Sequence, residues 1–196
     1  DSSALNVDDS TAIKWLNGIL WSNAYGISLE DASSIGVSNS IFGVWGENHY
    51  AMVKGASAVL TSDYNDYFLT NGAFMASAGV SLGDQLSGSL LYDSVASWAI
   101  NAGYDRHSLS HDPGFVDESL HDFHLFSQGG HYVITSGTFA ADANTSSLID
   151  AGNPVAAFTN EPSPNGGRLN IGRFGNTTEA SKTPTNASFT VVSLND

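Results

Sequence analysis

The sequence predicts an all-β chain wound into a parallel β-helix, a solenoid with three short strands in each coil. Three observations carry that expectation. An echo, Asn17-Gly18-Ile19-Leu20, Asn39-Ser40-Ile41-Phe42 and Asn65-Asp66-Tyr67-Phe68, returns at spacings of 22 and 26 residues, a period that suits one coil. An apolar stretch follows each echo: Gly26-Ile27-Ser28-Leu29, Tyr50-Ala51-Met52-Val53 and Ala73-Phe74-Met75-Ala76. An alternating stretch precedes each: Ala12-Ile13-Lys14-Trp15, Ser34-Ile35-Gly36-Val37 and Ala58-Val59-Leu60-Thr61. A helical repeat would need apolar residues at a 3.6-residue period, and none is visible. Asn suits the sharp turns because it tolerates left-handed backbone, and stacked amides can hydrogen-bond from coil to coil. A β-sandwich with Asn-rich turns remains the alternative, since it too has short strands at regular spacing.

The elements follow in order. Residues 1–11 read as a polar lead-in, and residues 12–80 as the repeated coils. Gly83 to Leu91 reads as a turn and a short strand. Residues 94–103 switch to helical spacing, with Ser94 as N-cap and Gly103 at the C-terminal cap, so one short helix packs on the coils. From Asp112-Pro113-Gly114 to Leu125 the pattern is turn, strand, turn, strand, with Phe123 and Leu125 inward and His124 outward. The irregular closing segment, residues 112–182, is expected to cover the last coil. Residues 183–196 read as a linker and a strand, Ala187 to Leu194, of a following or partner domain, a strand that would seek a sheet edge. Nothing in residues 1–11 resembles an amphipathic cap, so further coils, or another chain, are expected to cover the first coil.

Composition narrows the class. Charged residues make up 13% and hydrophobic residues 41%, which suits neither a disordered chain nor a charged helical bundle. There is no Cys, so disulfides and thiolate metal sites are excluded. No apolar run is long enough to span a membrane as a helix, and the chain opens on Asp-Ser-Ser rather than a secretion signal. Twenty acidic against six basic residues give a net charge of −14, which repels nucleic acid and anionic lipid.

Three strings carry a family resemblance: Ser108-Leu109-Ser110-His111-Asp112-Pro113-Gly114-Phe115-Val116-Asp117 with Asp122-Phe123-His124-Leu125; Ser147-Leu148-Ile149-Asp150-Ala151-Gly152-Asn153-Pro154; and Glu161-Pro162-Ser163-Pro164-Asn165-Gly166-Gly167-Arg168-Leu169-Asn170-Ile171-Gly172, continuing to Lys182. Together they resemble the C-terminal signature of right-handed parallel β-helix proteins of the pectin-lyase-like superfamily, as found in large secreted bacterial proteins. The resemblance covers most of residues 12–182. Ser147-Leu148 and Arg173 depart from it, each replacing a step where small residues are common. The superfamily holds lyases, hydrolases, epimerases, tailspikes and adhesins, so the fold does not choose among them.

The resemblance to lyases of this fold would imply a Lys or Arg base with a cationic partner, Ca²⁺ or another positive group, for a uronate carboxylate. Such chemistry needs a base of lowered pKa and positive charge near the enolate. Lys14, Lys54, Arg106, Arg168, Arg173 and Lys182 are the only candidates. Lys14 and Lys54 stand alone in their coils, and Arg168 is expected to hydrogen-bond loop carbonyls. Asp63 and Asp66 flank Asn65 and read as turn residues rather than a hydrolase pair. His107, His111, His121, His124 and His131 cluster with four aspartates, but at spacings too irregular for a transition-metal site. Asp105, Asp112, Asp117 and Asp122 are the candidate ligands for Ca²⁺, which needs only closely spaced oxygens. Trp21, Trp45, Tyr50 and Tyr64 are the candidate sugar-stacking residues, against the alternative that they pack inside or stack coil on coil. Asn144, Asn176 and Asn186 open glycosylation triplets of a kind frequent by chance.

The expected function is that of an extracellular or cell-surface bacterial module, structural or glycan-binding, without catalysis in these residues. Its partners would be a polysaccharide or another copy stacking on the first coil. The alternatives are the C-terminal part of a polysaccharide lyase or glycoside hydrolase acting on acidic polysaccharide, with catalytic coils upstream, and an adhesin or tailspike-like attachment module.

Overall fold

The computed structural model describes residues 3–79 and 89–185. Strands β1 (Ser3–Val7), β2 (Ile13–Leu16) and β3 (Ile19–Trp21) make the first coil. Strands β4 (Tyr25–Leu29), β5 (Ser34–Ser38) and β6 (Ile41–Trp45) make the second, and β7 (Tyr50–Lys54), β8 (Val59–Asp63) and β9 (Asp66–Thr70) the third. A fourth begins with β10 (Phe74–Ala78), beside which β11 (Leu90–Tyr92) runs antiparallel. Corresponding strands stack in parallel, giving a first sheet β1-β4-β7-β10-β11, a second β2-β5-β8 and a third β3-β6-β9. The chain is therefore a parallel β-solenoid of about three turns.

The coil interior is a single apolar column. Ile35, Val37 and Leu60 enter it from the second sheet, and Leu20, Phe42 and Tyr67 from the third. Phe42 stacks on Tyr67 with ring centres 4.9 Å apart. Along the first sheet Tyr25, Tyr50 and Phe74 occupy one register position and stack coil on coil. The expected lead-in needs correcting, because residues 3–7 form β1 on the edge of the first sheet and bury Val7.

The register also corrects the third echo. Ile19 pairs with Ile41 and Ile41 with Asp66, so the coils are offset by 22 and then 25 residues. The left-handed turn position is held by Asn17 (φ 53°), Asn39 (φ 54°) and Tyr64 (φ 60°). Asn65 lies one step further on and accepts the Ser40 N–H on its side-chain oxygen at 3.0 Å. The turn amides form no ladder with one another either. Asn17 donates to the Gly175 carbonyl at 3.0 Å, and the Asn39 side-chain oxygen accepts the Asn153 N–H at 2.7 Å. They anchor the closing segment instead.

The helix lies where its capping residues predict. Helix α1 (Val95–Asn101) starts at Ser94, whose hydroxyl accepts the Ser97 N–H in a reciprocal capping box, and Gly103 follows it with φ +84°. Trp98 is fully buried between Tyr92 and Tyr104 and extends the coil interior. Beyond it, residues 105–111 lie along the third coil: Asp105 N–H bonds Ser62 O, Leu109 N–H bonds Asn65 O, and Tyr67 N–H bonds Leu109 O.

The closing segment takes a different place from the one expected. It holds two antiparallel pairs, β12 (Phe115–Asp117) with β13 (Asp122–Leu125) and β14 (His131–Val133) with β15 (Thr138–Ala140). Rather than covering the last coil, it lies on the outer face of the third sheet, where Ile41 packs with Phe115, Leu125, Leu148, Ile149 and Ile171. The reason is that Ile19 and Ile41 point outward and present an apolar surface that must be covered. Gly172 permits the contact, since a Cβ there would lie 2.7 Å from Ile41 Cδ1, and its N–H donates to Asn39 O.

Two further expectations are corrected by this layer. His124 is fully buried rather than outward, stacked on Phe174 at 3.6 Å with its Nδ1 2.5 Å from Asp122. Asp66 is no turn residue but the first residue of β9, buried beneath the closing segment, where its Oδ1 accepts the His111 N–H. Arg168 does bond loop carbonyls, Gly152 at 2.5 Å and Ala151 at 3.0 Å. The expected strand 187–194 and the Asn186 triplet lie outside the described residues, as does most of the Gly83–Leu91 turn.

Candidate functional site

An open cleft of about 430 Å³ lies where the third sheet meets the β12–β13 turn, lined by Trp21, Trp45, Glu118, Ser119, His121 and Phe123. Trp21 ends β3 and shares a register position with Gly43 and Phe68. A Cβ on Gly43 would fall 2.1 Å from the Trp21 ring. The missing side chain thus lets the indole lie across the second coil and stack on Phe68, 5.8 Å away and within 3° of parallel. Trp45, two residues beyond Gly43 on the same face, meets Trp21 at 5.6 Å and 71°. Phe115 braces Trp21 edge-on at 4.9 Å. The two indoles therefore form a corner held from behind by packed rings.

The polar wall comes from the turn between β12 and β13. Asp117 Oδ1 accepts the N–H groups of Ser119 (3.0 Å) and Leu120 (3.2 Å) and the Ser119 hydroxyl (2.6 Å). These bonds, the Ser119 hydroxyl foremost, hold its carboxyl below the usual aspartate range. The turn closes with His121 N–H on Glu118 O and His121 in left-handed backbone at φ 58°. Glu118 is exposed and reaches Trp21, its Oε2 accepting the indole N–H at 3.1 Å. Its Oε1 takes no hydrogen bond among the described residues.

Of the four sugar-stacking candidates, the structure brings Trp21 and Trp45 together and separates the others. Tyr50 is buried in the Tyr25–Tyr50–Phe74 stack, which corrects its selection, because neither ring face is open to a ligand. Tyr64 sits at the other end of the third sheet's strands, stacked on His107 at 4.9 Å with the Arg168 guanidinium 5.8 Å from its ring centre. Both of its neighbours are fixed parts of the chain.

The Ca²⁺ candidates also disperse. Asp105 is buried, and Ser62, Asn65, Tyr67 and Ser108 donate to its Oδ1 while the Trp98 indole donates to Oδ2 at 3.0 Å. Burial pushes that carboxyl up, and the donors from Ser108, Asn65, Ser62 and Trp98 pull it back. Asp112 accepts the Gly114 N–H, Asp117 locks its own turn, and Asp122 holds His124. Among the described residues no three His, Asp or Glu side chains come together to hold a metal ion. The histidines are divided too, with His107 on Asp63, His111 on Ser147 and His131 on Asp142.

Four of the six cations, Lys54, Arg168, Arg173 and Lys182, are likewise engaged at separate places. Lys54 donates to Gly55 O, Arg173 lies over Phe174, and Lys182 lies 4.1 Å from the Phe139 ring centre. The sequence does not single out Glu118, Ser119, His121 and Phe123 as cleft residues, because no local spacing marks them and Glu118 reaches Trp21 from 97 residues away. Compared with protein-family models, curated proteins and solved structures, the chain matches none.

Proposed function

We propose that this solenoid is an extracellular or cell-surface module that binds glycan without transforming it, through the Trp21–Trp45 cleft. The carrying observation is the indole corner beside the uncommitted Glu118 oxygen. Sugar C–H faces stack on indole rings, and a neighbouring carboxylate accepts sugar hydroxyls, so few convergent polar groups suffice for orientation. Among the described residues the lining has no Lys or Arg and a single carboxylate, which weighs against the lyase reading and against a paired-carboxylate hydrolase. Kinship with right-handed β-helices of the pectin-lyase-like superfamily belongs to the same proposal, supported by the parallel coils and the strings from Ser108 to Lys182.

The test is a titration of purified chain with polysaccharide fragments, followed by tryptophan emission. Trp45→Ala is expected to weaken binding about tenfold, roughly 1.4 kcal/mol, with the unfolding transition preserved. Equal affinity in that variant would overturn the reading. A second partner surface is the side of β1, β2 and β3 that carries no further strand among the described residues, near which Ile13 and Leu16 are 39% and 56% exposed. Another copy stacking there would make sedimentation concentration-dependent, and a constant monomer mass would exclude it.

A further inference from the structure

The chemistry of the cleft also bears on which sugar it takes, an argument that rests on the glycan reading above. Among the described residues Glu118 is the one Asp, Glu, Lys or Arg in the lining, and it stands in a fixed place. Its Oε2 is held by the Trp21 N–H at 3.1 Å, inside a turn locked by Asp117, and Oε1 stays at the cleft without a donor among the described residues. A sugar hydroxyl or an ammonium would each make a charge-assisted hydrogen bond to this carboxylate, and the ammonium adds the attraction of opposite charges. Phe68 covers one face of Trp21, and Trp45 shares the cleft with Glu118, where an ammonium within about 6 Å of its indole face is attracted by the ring quadrupole. The net charge of −14 acts in the same direction by raising the local concentration of cationic ligands and repelling uronates.

We infer that the cleft recognises a glycan bearing protonated amino groups, a polymer of partly or fully de-N-acetylated hexosamine, with one ammonium between Glu118 Oε1 and the Trp21–Trp45 corner. A uronate or sulfated sugar would set an anion against Glu118. A fully N-acetylated sugar would stack equally well but leave Oε1 without its charged donor.

The experiment titrates the intact chain with a glucosamine oligomer, its N-acetylated counterpart and an oligogalacturonate of equal length. The glucosamine oligomer is expected to bind about tenfold more tightly than the acetylated one, with galacturonate weakest and added salt weakening the first alone. Glu118→Gln is expected to bring the glucosamine oligomer down to the acetylated affinity without changing the latter. Glu118→Asp, which keeps the charge, should retain part of the preference, and circular dichroism checks that both variants fold. Equal affinities for the two amino-sugar oligomers in the unaltered chain, or a preference that survives Glu118→Gln, would overturn the amine assignment while leaving glycan binding standing. Failure of all three oligomers to bind would overturn both.

Discussion

Two indole–carboxylate pairs in this chain have nearly the same hydrogen-bond length, 3.0 and 3.1 Å, and opposite surroundings. Trp98 donates to Asp105 at 3.0 Å in full burial, where four further side chains converge on the same carboxylate. Trp21 donates to Glu118 at 3.1 Å at the rim of an open cleft, and there the second carboxylate oxygen takes no hydrogen bond among the described residues. A saturated pair fixes the fold: it joins α1, the third coil and the strand-like residues 105–111. An unsaturated one at the surface has bonding capacity to offer a ligand.

The largest effect should follow from emptying the saturated pair. Asp105→Ala leaves the donors of Ser62, Asn65, Tyr67, Ser108 and Trp98 without their acceptor, and is expected to cost about 3–5 kcal/mol in urea unfolding. Glu118→Ala, measured alongside, should cost about 1 kcal/mol or less. Similar losses at both sites would break the comparison.

Asp66 sharpens it from the other side, as a buried carboxyl with too few donors. Its Oδ2 has no hydrogen-bond partner among the described residues, and burial pushes its pKa up to about 7, with the His111 N–H pulling it back and the Asp112 charge adding to the rise. The folded state therefore keeps this proton while the unfolded chain, with a pKa near 3.8, has lost it. Stability should fall as pH rises from about 4 to about 7 and level off above, by up to about 4 kcal/mol at 1.36 kcal/mol per unit. Asp66→Asn should flatten part of that slope, while Asp105, Asp150 and Glu161, also raised by burial, keep a remainder of the same sign. An unchanged slope would remove Asp66 from the account.

A smaller effect is expected at the floor of the cleft. Gly43→Ala places a methyl where the Trp21 ring lies, so the indole must lift from Phe68 at a cost of about 1–3 kcal/mol. The accompanying change should be a shift in tryptophan emission and weaker glycan binding. Full retention of both would mean that Gly43 does not shape the corner.

Much of this was legible in the sequence, and the failures have physical causes. Alternation located the stacked strands from β2 to β10, and Ser94 and Gly103 located the helix, because both signals are local. Asn65 misled because the third coil lengthens to a 25-residue offset, and Tyr64 takes the left-handed position that Asn holds in the first two coils. His124 misled because alternation describes a strand with one wet face, and Phe174, fifty residues further on, covers that face. The same reasoning could have been turned to use at β3 and β6: Ile19-Leu20-Trp21 and Ile41-Phe42 are apolar on both faces, a sign that both are buried. The Trp pair was legible and its carboxylate was not, since Glu118 arrives through a fold-back that no periodicity encodes.

The central claim is that the open pair binds and the closed pair holds. The most direct measurement is the affinity for a glucosamine oligomer of the unaltered chain, Glu118→Gln and Asp105→Asn, at a temperature where all three are folded. The account predicts about a tenfold loss in Glu118→Gln and unaltered affinity in Asp105→Asn. Unaltered affinity in Glu118→Gln, or an equal loss in both variants, would contradict it.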